Sequence, residues 1–70
     1  MAQPSDLQRY RANLQDETDS AALYRVMAEV EPKPEIAEVY QRLARAEEVH
    51  ARFWSRRIEK LQGEAPQAVP

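Results

Sequence analysis

The sequence has no cysteine, which excludes disulfides and thiolate metal sites and fits a reducing compartment. It has no apolar run near the ~20 residues that cross a bilayer. Its N-terminus also lacks the basic segment and apolar stretch of a secretory signal. Seventy residues allow one small domain at most. Because such short chains bury little surface, we expect a metal or a partner chain to stabilise this one.

The chain also has no large excess of charge of one sign. The chain has ten basic and twelve acidic residues, and both signs are mixed along it. This mixture is typical of the solvated faces of long helices and not of a basic nucleic-acid surface. We therefore expect no nucleic-acid partner, and the overall balance gives no sign of a phosphate site.

Two helices are predicted, separated by Pro32 and Pro34. The first should run from about residue 6 to residue 30, with Ser5 as its N-cap and Gln8 completing a capping box. Pro34 is suited to the first turn of the second helix, which should end at about residue 62, before Gly63. We expect residues 1–5 to be disordered, residues 6–62 to form the hairpin, and residues 63–70 to be a linker or flexible tail.

Apolar residues recur every three or four positions in both segments, as on one face of a helix. The first series is Leu7, Tyr10, Leu14, Ala21, Tyr24 and Ala28, and the second is Ile36, Tyr40, Leu43, Trp54 and Leu61. Further apolar residues widen the second face beyond one seam, which suits a four-helix core. The pattern predicts an all-α fold: an antiparallel helical hairpin that dimerises into a four-helix bundle.

Polar residues interrupt both series at one level. Glu17 lies about 15 residues before the turn, and Glu47 and His50 lie about 15 and 18 residues after it, so all three lie roughly 23–26 Å from the turn. Residues three apart on a helix project to one side. Since buried carboxylates without a partner are costly, these three residues are candidate metal ligands. Carboxylate and imidazole donors suit iron, manganese or zinc, and the ligand set alone does not choose among them.

The segments 16–24 and 46–50 resemble the two metal-binding helices of the rubrerythrin and ferritin-like family. One hairpin carries half of that family's ligand set, so the resemblance implies a homodimer or larger ring with a di-iron site at the dimer interface. The chain is similar in length to the half-ferritins packed as cargo in encapsulin shells. The stretch 10–61 resembles more closely the short ferritin-like domain that precedes the membrane part of bacterial vacuolar-iron-transporter family proteins.

The resemblance also implies roles for individual residues. Glu17 and His50 would be terminal ligands, and Glu47 would bridge two irons. Tyr24 would bind a ligand carboxylate or donate an electron, which makes it a fourth catalytic residue. The implied activity is that of a ferroxidase, oxidation of Fe(II) by dioxygen or peroxide, which supplies iron for transport or storage.

The same resemblance implies that Asp16 and Asp19 guide incoming metal. It places a soluble domain on the cytoplasmic side, tethered to a membrane transporter domain through sequence beyond Pro70, or inside an encapsulin compartment.

Simpler interpretations remain open for each residue. Glu17 would be a surface acid if its helix were rotated, and His50 would be a core-edge histidine bonded to a helix neighbour. Tyr24 would be a packing aromatic, and Asp16 and Asp19 solvated charges. The alternative function is then a metal-free helical hairpin that serves only for oligomerisation.

Overall fold

The computed structural model describes residues 4–63. They form helix α1 (Pro4–Val30) and helix α2 (Pro34–Gly63), which lie side by side as an antiparallel hairpin. Between residues 4 and 63 there is no strand. This architecture confirms the predicted all-α hairpin. Within these residues, neither helix contains a segment that is long and apolar enough to cross a membrane.

Both helix ends differ slightly from the prediction. Helix α1 begins at Pro4, so Ser5 lies within its first turn and is not the N-cap. Proline suits this place because its fixed φ is helical and its missing N–H would have no helical partner. Residues 4 and 5 are therefore helical, and the rest of the predicted disordered N-terminus lies outside the described residues. Helix α2 includes Gly63, whose φ is not positive. The remainder of the predicted tail, residues 64–70, also lies outside the described part.

The turn between the helices is short and well bonded. The Glu31 amide donates to the Met27 carbonyl at 3.1 Å, which closes α1. The amides of Ile36 and Ala37 donate to the Lys33 carbonyl at 3.0 and 2.9 Å, which opens α2. The Glu31 carboxylate accepts the Lys33 amide at 3.2 Å. The turn therefore falls where the two prolines predicted it, and it fixes the level at which residues of α1 and α2 meet.

The contact between the helices is a seam with a heptad spacing. On α1 the seam is the predicted series, and Ala21 at its centre is buried. On α2 the seam differs from the prediction. Its residues are Ala37, Tyr40, Ala44, Glu47, Ala51, Trp54, Ile58 and Leu61. Ala44 is completely buried. Alanine lets the two helix backbones approach closely, so at Ala37, Ala44 and Ala51 the seam follows the small residues and not the larger ones just before them.

The large apolar residues of α2 lie beside the seam and remain exposed. They repeat with the same heptad spacing, and each directly precedes a seam residue in the sequence. Together with two residues of α1 they form a surface that we call the apolar face: Leu23, Val30, Ile36, Val39, Leu43 and Phe53. Ile36 and Leu43, predicted to face α1, are 37% and 40% exposed. The described part of one hairpin therefore leaves most of its large aliphatic side chains in contact with water.

Candidate metal centre

The middle of the hairpin brings together the three residues that sequence spacing placed at one level. Glu17 comes from the middle of α1, and Glu47 and His50 come from the middle of α2. One ligand atom from each side chain can be chosen so that all lie within 4.8 Å of one another. The seam positions of Glu17 and Glu47 face each other across the two helices.

The distances within this group fit a shared ion better than a direct ion pair. His50 Nδ1 lies 3.4 Å from Glu17 Oε2 and 3.5 Å from Glu47 Oε1. Strong charge-assisted hydrogen bonds are about 2.7–2.9 Å long. Two donor atoms that each bind one transition-metal ion at about 2.1 Å lie about 3.0–3.4 Å apart at common coordination angles. The donor set of two carboxylates and one imidazole therefore suits a transition-metal ion such as iron, manganese or zinc.

Burial differs between the three side chains. Those of Glu17 and Glu47 are 24% and 23% exposed, because they lie in the seam. That of His50 is 56% exposed, because it lies one residue before seam residue Ala51, on the flank that carries the apolar face. In a single hairpin the three side chains therefore do not lie in a closed interior. The carboxylates are shielded by both helices, and the imidazole borders the open side of the site.

The two carboxyl groups perturb each other. The pKa of Glu47 is raised, first because a hydrogen bond with Glu17 favours the protonated form. Partial burial and the charge of Glu17 act in the same direction, and His50 opposes them more weakly. Without a cation, the raised pKa means that Glu47 keeps its proton to a higher pH than a free glutamate would. A bound cation would replace that proton and remove the repulsion.

Aromatic pairs occupy the seam on both sides of the carboxylates. Toward the turn, Tyr24 stacks on Tyr40 with ring centroids 6.4 Å apart. Away from the turn, Tyr10 packs against Trp54 at 5.3 Å. Each pair lies one heptad, about 10.5 Å along the helix axis, from the layer that contains Glu17 and Glu47. The described contacts thus give Tyr24 a packing partner on α2, and they include no hydrogen bond from it to a candidate ligand.

Asp16 and Asp19 do not join the cluster. Both are exposed, and Asp19 accepts a hydrogen bond from Gln15 at 2.8 Å on the surface of α1. Sequence reasoning overlooked a different polar contact at this level, since Arg25 of α1 donates to the carboxylate of Glu48 on α2. Both residues lie at the same heptad position beside the seam, and that shared position is the signal that would have revealed the pair.

A family model described as rubrerythrin matches residues 11–69, which include all three members of the cluster. No curated protein and no solved structure matched the chain in comparable searches. The family match covers most of the chain and agrees with the helical hairpin and with a Glu/His group that could hold a metal ion. Rubrerythrin-like domains bind iron. The chain therefore belongs to the rubrerythrin family of ferritin-like helical proteins.

Proposed function

We propose that this chain is an iron-binding ferritin-like domain that oxidises Fe(II) at a di-iron ferroxidase site formed across a homodimer. The observation that carries the proposal is the convergence of Glu17, Glu47 and His50 within 4.8 Å in the middle of a rubrerythrin-family hairpin. Their donor atoms and spacing suit a divalent iron ion, with manganese, zinc or calcium as substitutes.

A second copy would complete the site. One hairpin offers two carboxylates and one imidazole, so a two-fold dimer would offer four carboxylates and two imidazoles, the full set of a ferritin-like di-iron centre. Four carboxylate charges balance two divalent ions, which supports binding of two irons and not of one. His50 borders the apolar face, so a copy docked there would close the open side of the site.

The apolar face supports the same arrangement energetically. The side chains of Leu23, Val30 and Val39 are 58%, 72% and 49% exposed in the single hairpin. Fully burying a side chain of this kind contributes about 1.5–3 kcal/mol. Two copies that cover each other's faces would supply the core that one short chain lacks.

The protein side chains would bind and position the metal, and iron oxidation would supply the redox chemistry. Glu17 and His50 would each bind one iron, and Glu47 would lie between two. Metal binding would compete with protonation of Glu47, because the carboxylate binds metal only when it is deprotonated. Two Fe(II) then give two electrons, which with two protons convert dioxygen to hydrogen peroxide, or peroxide to two waters.

Three further residues belong to the proposal with supporting roles. Tyr24 would donate an electron during oxidation, since it lies one heptad from Glu17 in the same seam. Asp16 and Asp19 would attract metal ions toward the site from the exposed surface of α1. If Tyr24 only packs against Tyr40, its replacement by phenylalanine will leave the oxidation rate unchanged.

The destination of the iron follows from the family resemblance and is part of the proposal. A membrane segment encoded after Pro70 would support delivery to a transporter domain on the cytoplasmic side. A short docking peptide there would support storage inside an encapsulin shell.

The decisive experiment loads the protein with Fe(II) and measures the bound metal. We expect about one iron per chain, lost in Glu47→Ala and His50→Ala. Glu59→Ala is the matched control, because Glu59 is an exposed acid on the same helix outside the cluster. A protein that assembles normally, binds no iron and is unchanged in the first two variants would be an oligomerisation module instead.

A further inference from the structure

A groove with a basic rim runs along the flank of the hairpin away from the apolar face. Its floor contains Ala21 and Ala22 of α1 and Ala51 of α2, and Arg25 and Arg52 stand at its edges. An adjoining depression shares both arginines and adds Arg45. The groove thus combines small apolar side chains below with guanidinium groups above.

The groove and the metal centre lie on opposite flanks of the seam. Arg25 is four residues beyond the seam residue Ala21, and its partner Glu48 is four residues beyond Ala44, which places both on one flank. His50 is one residue before Ala51, which places it on the other. A second copy that covered the apolar face would therefore leave this groove open to solvent.

Positive charge is concentrated here although the chain as a whole is acidic. Arg25, Arg45 and Arg52 line the adjoining depression together with one acidic residue, Glu48. Only Arg25 bonds to that carboxylate. Within the described part of the chain, Arg45 and Arg52 make no ion pair. The three arginines and Glu48 together thus carry two more positive charges than negative ones.

The arrangement matches the chemistry of a phosphate ion. Guanidinium groups bind phosphate through parallel hydrogen bonds, and several around one point neutralise its double charge. The contact between Arg25 and Glu48 already holds one oxyanion group among these arginines. The exposed Thr18 hydroxyl on the groove wall offers a further donor. The alanine floor leaves space beside Glu48 for a small ion.

We propose that this groove binds inorganic phosphate between Arg25, Arg45 and Arg52. The site is separate from the proposed iron centre and does not depend on it. Its occupant is a small free dianion, since the three arginines carry two more positive charges than Glu48 balances and small alanine side chains line the adjoining groove. Glu48 competes with the ion for Arg25, so the carboxylate limits the affinity.

The test is a titration of the metal-free full chain with inorganic phosphate at constant ionic strength, followed by amide chemical shifts. We expect saturable shifts at Thr18, Ala22 and Ala51. Arg52→Gln should weaken binding roughly tenfold, because it removes charged hydrogen bonds. Arg56→Gln is the matched control, since Arg56 is exposed on the same helix outside the groove, and it should bind phosphate as the wild type does.

A variant that is expected to bind phosphate more tightly complements the test. Glu48→Gln removes the competing negative charge and frees Arg25, so phosphate should bind several-fold more tightly. Circular dichroism of each variant checks that the hairpin is intact. Equal weakening by Arg52→Gln and Arg56→Gln would overturn the proposal, since it would mean that only the general charge matters. Retention on phosphatidylglycerol vesicles without binding of free phosphate would also overturn it.

The iron site serves as an independent readout. Arg52→Gln should keep the wild-type amount of bound iron, and Glu47→Ala should keep the wild-type affinity for phosphate. Either site can therefore fail in these measurements without affecting the result for the other.

Discussion

Replacing Ala44 by leucine tests the orientation of α2 about its own axis. Ala44 is completely buried where the two helices approach, and the side chain faces α1 at a seam position. Leucine adds an isopropyl group for which this contact has no space. Overpacking of this kind costs about 1–3 kcal/mol. For a domain of this size, that lowers Tm by roughly 4–24 °C.

The same substitution should weaken iron binding. Glu47 lies one turn beyond Ala44, so helices pushed apart there would also separate Glu47 from Glu17. We would measure thermal unfolding of the metal-free protein by circular dichroism at one protein concentration, and Fe(II) binding in parallel. Ala12→Leu is the control, because Ala12 is exposed on α1 and surface changes usually stay within about 0.5 kcal/mol.

One result would refute the reasoning. If Ala44→Leu were as stable as the wild type and bound iron normally, Ala44 could not lie in the contact. Helix α2 would then be rotated so that Ile36 and Leu43 face α1, the orientation predicted from the sequence. Leu43→Ala would in that case destabilise the hairpin itself, and its effect would not depend on protein concentration.

Three further predictions concern assembly, pH and redox chemistry. Leu43→Glu places a charge on the apolar face and should weaken self-association at least about tenfold, measured by sedimentation, whereas Val49→Glu on the outer surface should not. Metal-free protein should lose stability as pH rises through the raised pKa of Glu47, because the folded state holds that proton more tightly than the unfolded state. Chemical denaturation across pH should show this slope, and Glu47→Gln should remove it; an unchanged slope would contradict the assignment. Tyr24→Phe should keep iron stoichiometry but slow oxidation, followed by stopped-flow absorbance, and equal rates would leave Tyr24 as a packing residue.

Much of the fold follows from local rules of the sequence. Pro32 and Pro34 end one helix and start the next, and the regular rise of a helix then fixes which residues share a level. For that reason the meeting of Glu17 with Glu47 and His50 could be predicted without any knowledge of side-chain packing. The helix start at Pro4 was missed because Ser5 offers a competing cap signal.

The rotation of α2 could not be predicted, because this helix carries two heptad series side by side. One series is rich in alanine and the other in large apolar residues such as Leu43 and Phe53. A sequence shows that both exist but not which one meets α1. The sequence pattern assigns Ile36 and Leu43 to the contact, whereas close approach of the backbones selects Ala44 and Ala51. The basic groove was missed for a related reason, since the overall charge averages over faces that the fold separates.

The ring pairs in the seam determine how an ion can travel to the carboxylates. Tyr24 with Tyr40, and Tyr10 with Trp54, fill the space between the helices above and below Glu17. In a single hairpin, passage along the axis is thus restricted on both sides of the carboxylates, and the approach before a second copy docks is lateral, across the rim where the imidazole stands. Before that docking, an arriving cation would meet His50 first, because the stacked neutral rings restrict the other approach along the seam.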